Sequence, residues 1–112
     1  MKNILLAFNS FKEVADSVEI CDLMNDNLRG EVECILLPIS DGGDGFLEVC
    51  KFFFKLECLT YCIKNFYNEL IFRLLVGIKK KSATAYIEVA SAIGLNLIPF
   101  QERNPNLYNS KA

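Results

Sequence analysis

The sequence predicts an α/β protein that begins as a doubly wound β-α-β-α unit, of the Rossmann or flavodoxin-like kind, and continues as a small β-rich segment. Residues Ile4–Phe8 form a short, continuous apolar run, which is typical of a parallel strand covered on both faces. A helical pattern follows, and Val32–Leu37 is a second apolar run that ends at Pro38. Further along, strand-like runs follow one another without a long helical pattern between them. The chain is therefore divided into a βαβα unit (residues 1–56), a β-rich segment (57–98) and an irregular tail (99–112).

Two helices are predicted in the first unit from capping and spacing. Asp16 stands three residues before Glu19, as in a capping box, and apolar residues recur at helical spacing up to Gly30, a natural stop. This pattern predicts a helix from about Ser17 to Arg29. A second, largely apolar helix is predicted from about Asp44 to Lys55, and such a helix must be well covered.

The β-rich segment contains three strand-like runs joined by two polar links. The first link, Asn65–Glu69, is expected to turn a hairpin, and the basic run Lys79–Lys81 is interpreted as a solvated turn rather than a phosphate-binding patch. A short helix is predicted over Ser91–Leu95. The three strands are predicted at Cys58–Ile63, Leu70–Ile78 and Thr84–Val89.

Composition argues against several classes of function. The 112 residues carry a formal net charge of −2, so neither nucleic acid nor a membrane surface is an expected partner. The chain has no histidine, which removes histidine-based zinc sites and Ser-His-Asp or Cys-His nucleophiles. Five cysteines without a secretion signal indicate a cytoplasmic protein rather than a disulfide framework. Cys58 and Cys62 are expected to be buried thiols that act as small apolar residues.

Two polar loops follow the first two predicted strands, at Asn9–Lys12 and at Ser40–Gly45. If the strands are parallel, both loops emerge at the carboxyl edge of the sheet, where open α/β sheets bind ligands. The second loop has three glycines and leads into a helix, yet Asp41 and Asp44 would repel a bare phosphate. Three interpretations stay open: a divalent metal between carboxylates and phosphate, a carboxylate that accepts a substrate hydroxyl, or an ordinary turn.

Three further charged residues, one of them in the first loop, are candidates with simpler alternatives. Lys12 suits a phosphate or carboxylate, although a solvated surface lysine is the plainer interpretation. Glu88 ends an apolar strand, where a carboxylate is costly unless it is paired or functional. Arg103 can hold a carboxylate in a bidentate grip, or it is an ordinary loop arginine.

Four segments together resemble the bacterial glycerate kinase family, in order and in spacing. They cover the chain from Ile4 to about Leu107, and the resemblance implies the amino-terminal portion of a two-domain α/β kinase with its site between the domains. The segments are Asn9–Lys12, Pro38–Gly45, Tyr86–Leu95 and Glu102–Pro105.

This resemblance implies a kinase that transfers the ATP γ-phosphoryl group to a hydroxyl of D-glycerate, with Mg²⁺. Lys12 would neutralise phosphate or the substrate carboxylate, and Asp41 would orient the hydroxyl or bind the metal. Glu88 would support the site, and Arg103 would hold an anion. The further substrate-binding residues implied are Ser10, Gly42, Gly43, Asp44 and Asn104.

The chain departs from the family pattern in four places and in length. Asn9 replaces an aspartate, Glu13 a glycine and Phe46 a threonine, and Asn65–Asn68 replaces a Gly-Pro-Leu-Gly turn. Members of the family are also considerably longer. We therefore expect no turnover from the 112-residue chain alone, which would need the remainder of a kinase or a second copy as partner. The alternative is a non-catalytic remnant that binds a small anion or a partner chain.

Overall fold

The computed structural model describes residues 2–64, 70–94, 97–104 and 106. The chain divides into two compact units, Met1–Lys55 and Leu56–Ala112. The first unit holds a parallel sheet and the second an antiparallel sheet, so the protein is a mixed α/β fold, as the sequence predicts in outline. Across the residues that the structure describes, no helix has the length and apolar character needed to cross a membrane.

The first unit is built on a parallel pair of strands, β1 (Asn3–Leu6) and β2 (Glu33–Leu36). Helix α1 (Ser17–Leu28) connects them, and Asp16 and Glu19 form the predicted capping box at its start. The core of this unit lies between the strands and the helix. The Cys21 thiol, fully buried on α1, donates a hydrogen bond of 3.4 Å to the Leu6 carbonyl of β1.

The second helix of this unit, α2, is shorter than predicted and spans Phe46–Phe53. Its start moves from Asp44 to Phe46 because Gly45 has a left-handed backbone, with φ of 87°, which a helix cannot continue through. Its end moves from Lys55 to Phe53 because Phe54 takes an extended conformation. Leu47, Val49 and Cys50 are buried, but Phe52 and Phe53 are 41% and 46% exposed, so the prediction that this helix is well covered holds for one face only.

The second unit is a three-stranded antiparallel sheet, in the order β3-β4-β5. Its core combines Leu74 and Val76 of the central strand with Ala92 of a short helix, α3 (Val89–Ile93). This helix begins two residues earlier than predicted, because Glu88 ends the strand and takes the N-cap position. The strands are β3 (Glu57–Lys64), β4 (Leu70–Lys79) and β5 (Thr84–Ile87).

Three further predictions for this unit concern the Lys-rich run, the hairpin link and the two cysteines of β3. The Lys-rich run forms a 3₁₀ turn at Lys80–Ser82, and a second 3₁₀ turn at Phe100–Glu102 lies in the segment predicted as an irregular tail. The predicted hairpin link Asn65–Glu69 lies outside the described residues. The prediction that Cys58 and Cys62 are buried is wrong, because β3 is an edge strand and both thiols are exposed.

Candidate active site

The parallel pairing of the first unit continues beyond the ends of its two strands. The Leu37 amide donates to the Leu6 carbonyl at 2.8 Å, and the Ile39 amide donates to the Phe8 carbonyl at 2.9 Å. The chain therefore leaves both strands in step, and the loops that follow lie side by side at the carboxyl edge. This is the edge at which open α/β sheets bind ligands.

The two loops enclose a cleft of about 500 Å³. One wall is the whole segment from Asn9 to Asp16, and the other is formed by the second loop. Lys12 and Asp41, which lie far apart in sequence, therefore line the same cleft. The second-loop residues that line it are Asp41, Gly43, Asp44 and Gly45.

The first loop is a tight turn closed by backbone hydrogen bonds. The Phe11 amide donates to the Ala15 carbonyl at 2.9 Å, and the Ala15 amide returns a bond to the Phe11 carbonyl at 3.1 Å. Glu13 at its tip has φ of 64°, a left-handed conformation that favours glycine. The Lys12 side chain is exposed and has no hydrogen-bond or ion-pair partner within the part of the chain that the structure describes, so its ammonium is available to a ligand.

The second loop is folded by its own side chains. Ser40 Oγ accepts a hydrogen bond from the Gly42 amide at 3.0 Å, and Asp41 Oδ1 accepts one from the Gly43 amide at 2.9 Å. Gly42 and Gly45 both have positive φ, of 93° and 87°. These are turns of the kind that Ser, Asp and Gly favour. Gly42 shapes the loop but is not among the residues that line the cleft.

Asp16 joins the two loops and is one of the cleft residues that were not among the predicted site residues. Its carboxylate caps α1, accepting from the Glu19 amide at 2.9 Å. Its Cβ also lies close to Gly45, where an added Cβ would meet it at 3.4 Å. The capping pattern was visible in the sequence, but only the fold reveals that this helix start forms part of the cleft.

Some backbone amides of these loops are engaged by loop side chains. The Ser10 amide donates to Asn9 Oδ1 at 2.8 Å, and the Gly42 and Gly43 amides donate to the side chains named above. A loop that cradles a phosphate needs amides that point, unpaired, at the ligand. These three amides therefore do not contribute to a phosphate cradle in this conformation.

The charges in the cleft are unbalanced. One lysine faces four carboxylates, those of Glu13, Asp16, Asp41 and Asp44. Such a site repels a bare polyanion and favours a ligand with hydroxyl groups or one whose charge is offset by a metal. No group of three or more acidic or cysteine side chains converges to hold a metal within the described ranges.

Asp41 nevertheless fits one role toward Mg²⁺. In the described part of the chain, only its Oδ1 accepts a hydrogen bond. Mg²⁺ commonly takes one or two protein carboxylates, several waters and the phosphates of a nucleotide, rather than a complete protein cage. A single Asp41 oxygen is compatible with an ion that arrives with its nucleotide.

The other predicted residues lie in the second unit. Glu88 is buried, 9% exposed, and its Oε1 accepts a hydrogen bond from Ser91 Oγ at 2.9 Å. This contact offsets part of the cost of a buried carboxylate. The Glu88 carboxylate is thus paired with a residue of α3, which is one of the two explanations that the sequence analysis gives for a carboxylate at this position.

Arg103 and Asn104 are held by local contacts. The Arg103 Nε donates to the Ile98 carbonyl at 3.1 Å, and its guanidinium carbon lies 5.5 Å from the centre of the Phe100 ring. Asn104 Oδ1 accepts a hydrogen bond from the Asn106 amide at 3.0 Å. The guanidinium is therefore positioned and exposed, while Asn104 shapes a turn.

Fold and cleft together define a mixed α/β protein with a cleft, lined in part by charged side chains, at the carboxyl edge of its parallel strands. The model of the glycerate kinase family matches residues 4–112, and the chain belongs to this family. The resemblance seen in the four sequence segments is thereby confirmed.

Several relatives align with nearly the whole chain. The uncharacterized protein slr1840 of Synechocystis is 32% identical over 98% of this chain, and a glycerate kinase of Neisseria meningitidis serogroup B is 31% identical over 91%. The chain spans only 30% and 28% of the lengths of those two relatives. The crystal structure of a protein described as glycerate kinase 2 from Salmonella typhimurium LT2 shares the fold, with a TM-score of 0.66 at 22% identity over 93% of this chain and 28% of that one.

Proposed function

We propose that this chain supplies the acceptor side of a glycerate kinase site, in which ATP phosphorylates a hydroxyl of D-glycerate. The observation that carries the proposal is the shared cleft, which brings Lys12 and Asp41 together from two loops. Membership of the glycerate kinase family supports this substrate class. The proposal also includes a finer architecture, in which the first half of this chain is a doubly wound part of a two-domain kinase. It includes a cytoplasmic location as well.

Glycerate would be held by complementary charges and hydrogen bonds. Its carboxylate would pair with the Lys12 ammonium, which has three donors and no competing partner within the described residues. The free oxygen of Asp41 would accept the proton of the attacking hydroxyl and orient the oxygen for transfer. Ser10, Gly43 and Asp44 would complete the walls of this site.

The nucleotide would bring its metal. Mg²⁺ bound to ATP offsets the charge that develops on the transferred phosphoryl group. Asp41 would offer one oxygen to that ion, and the acid-rich cleft would disfavour ATP that lacks it.

In the second unit, Glu88 would position Ser91 and the start of α3, and the exposed guanidinium of Arg103 would hold an anion.

Binding of D-glycerate can be measured on the 112-residue chain by amide NMR titration. Lys12→Ala and Asp41→Asn are expected to weaken binding by about tenfold, the effect of losing one charge-assisted contact. Lys55→Ala and Asp22→Asn are matched controls, since both side chains are exposed and lie outside the cleft. Unchanged affinity in both cleft variants, or equal loss in the controls, would reject the proposed site.

Turnover is a separate question. With Mg²⁺ and ATP, we expect the isolated chain to bind glycerate without phosphorylating it, because it spans less than a third of the length of its relatives. A coupled assay of ADP release tests this expectation. Measurable turnover by the pure chain would show that the 112 residues carry the complete machinery.

A second candidate function, a non-catalytic module that binds a small anion or a partner chain, is favoured by the position of Glu13. Glu13 follows Lys12 in the chain and lines the same cleft, where it adds a negative charge without forming an ion pair with the lysine. The titration discriminates between the two candidates. A non-catalytic anion site would take acetate as tightly as glycerate, whereas a kinase acceptor site would prefer the hydroxy acid.

A further inference from the structure

Glu13 differs from other acidic residues of the cleft because its carboxylate takes no part in holding the loops together. The Asp16 carboxylate caps α1, and Asp41 Oδ1 accepts a hydrogen bond from the Gly43 amide. The exposed Glu13 side chain, by contrast, has no hydrogen-bond or ion-pair partner within the residues that the structure describes. It therefore adds a negative charge to the cleft that no described protein group neutralises.

The backbone at Glu13 is also unfavourable for a glutamate. Its φ of 64° lies in the left-handed region, which favours glycine, and the glycerate kinase pattern has glycine at this position. Two backbone hydrogen bonds between Phe11 and Ala15 hold the turn in this conformation. Strained residues cluster at functional sites, so a glutamate at this tip is a candidate for function. What glutamate adds to the cleft, compared with glycine, is above all its charge.

The charge of the ligand decides how strongly Glu13 acts on it. Lys12 is the one basic residue among the described residues that line the cleft, and its ammonium can pair with the carboxylate of glycerate. Glycerate carries one negative charge, whereas the phosphate group of phosphoglycerate, the product of the proposed reaction, adds about 1.5–2 more near neutral pH. Once Lys12 is paired, none of the described lining residues offers a second cation to that phosphate. Repulsion by the Glu13 carboxylate therefore acts more strongly on the product than on the substrate.

We infer that Glu13 makes this cleft selective for singly charged hydroxy acids over their multiply charged phosphate esters. The inference rests on the proposed function, because it names the class of ligand that the acceptor site takes. Glu13 is a specificity-determining residue and takes no part in the transfer step. Its carboxylate weakens the binding of phosphoglycerate more than that of glycerate, which favours release of the product.

Amide NMR titration of the 112-residue chain with D-glycerate and with each phosphoglycerate, without Mg²⁺ and at about 20 mM ionic strength, measures this selectivity. We expect the wild type to bind D-glycerate more tightly than either ester. Glu13→Gln removes the charge and keeps the size of the side chain. It is expected to tighten phosphoglycerate binding about three- to fivefold and D-glycerate binding less than about twofold. At about 1 M salt, where the Debye length is about 3 Å, both effects should disappear.

Two variants serve as controls. Glu13→Asp keeps the charge and should keep the selectivity of the wild type. Glu31→Gln neutralises an exposed carboxylate that precedes β2, at the opposite end of the parallel strands from the cleft, and should change neither affinity.

A salt-sensitive gain in phosphoglycerate binding with Glu13→Gln, and with neither control, supports the inference. Three results would overturn the inference alone and leave the proposed function standing: a wild type that binds D-glycerate but prefers phosphoglycerate, a ratio of the two affinities that Glu13→Gln does not change, or an equal change with Glu31→Gln. If the wild type does not bind D-glycerate at all, the proposed function and this inference both fail.

Discussion

The two loops of the cleft meet the same conformational demand in different ways. The second loop turns at glycines, and Gly42 and Gly45 take positive φ without a steric clash because they have no Cβ. The first loop turns with Glu13 at φ of 64°, a conformation that costs a non-glycine residue about 1–2 kcal/mol. The comparison teaches that strain is concentrated in the loop that carries Lys12, while the loop that carries Asp41 is relaxed.

The largest effect is expected where the second loop is made to resemble the first. Gly45→Ala introduces strain at φ of 87°, so the free energy of unfolding should fall by about 1–2 kcal/mol, while the added Cβ makes an ordinary contact with Asp16 at 3.4 Å. Urea denaturation measures the change. Gly42→Ala is the control, because it has a similar positive φ but nothing within 4 Å of the added Cβ, and it should lose a similar amount. A much larger loss with Gly45→Ala would mean that the contact with Asp16 adds a steric cost.

A smaller effect is expected from breaking the link between the loops. Asp16→Ala removes the cap of α1 and should lower the free energy of unfolding by about 1 kcal/mol. Asp16→Asn keeps an acceptor and should restore most of that loss. Asp26→Ala, which removes an exposed ion pair with Arg29, should cost under about 0.5 kcal/mol. If Asp16→Ala costs no more than Asp26→Ala, the cap does not hold this wall of the cleft.

The smallest effect is expected where the first loop is made to resemble the second. Glu13→Gly relieves about 1–2 kcal/mol of strain but adds about 0.4–1 kcal/mol of unfolded-state entropy, so stability should rise by about 0.5 kcal/mol. Glu31→Gly, at an exposed acidic residue without positive φ, should lower stability instead. Thermal unfolding of both variants gives the sign directly, and a loss with Glu13→Gly would show that the turn is not strained.

The features predicted correctly from the sequence depend on local patterns. The capping box at Asp16 and Glu19 and the outline of strands and helices follow from residue spacing, which is a property of neighbours in the chain. The start of α2 was misplaced because the sequence does not say which glycine adopts a left-handed backbone. The exposure of Cys58 and Cys62 depends on β3 being an edge strand, which is a property of the whole sheet.

The same division holds for the candidate site. Lys12 and Asp41 could be expected near each other because the ends of parallel strands meet at one edge. That Asp16 lines the cleft could not be predicted, because this depends on how closely the start of α1 approaches Gly45. The hydrogen bonds from loop amides to the side chains of Asn9, Ser40 and Asp41 could not be predicted either. They occupy amides that a phosphate-binding loop would leave unpaired.

The different exposure of the cysteine thiols makes it possible to follow local unfolding of the first unit by thiol labelling. Cys21 and Cys50 are buried in the first unit, whereas Cys58 and Cys62 are exposed in the second. A thiol reagent would therefore modify the second pair at once and reach Cys21 only when α1 separates from Leu6 and its 3.4 Å hydrogen bond breaks. Cys34 is partly exposed, so the delay is read between labelling of the exposed pair and labelling of Cys21, and it would time the unfolding of the unit that holds the cleft.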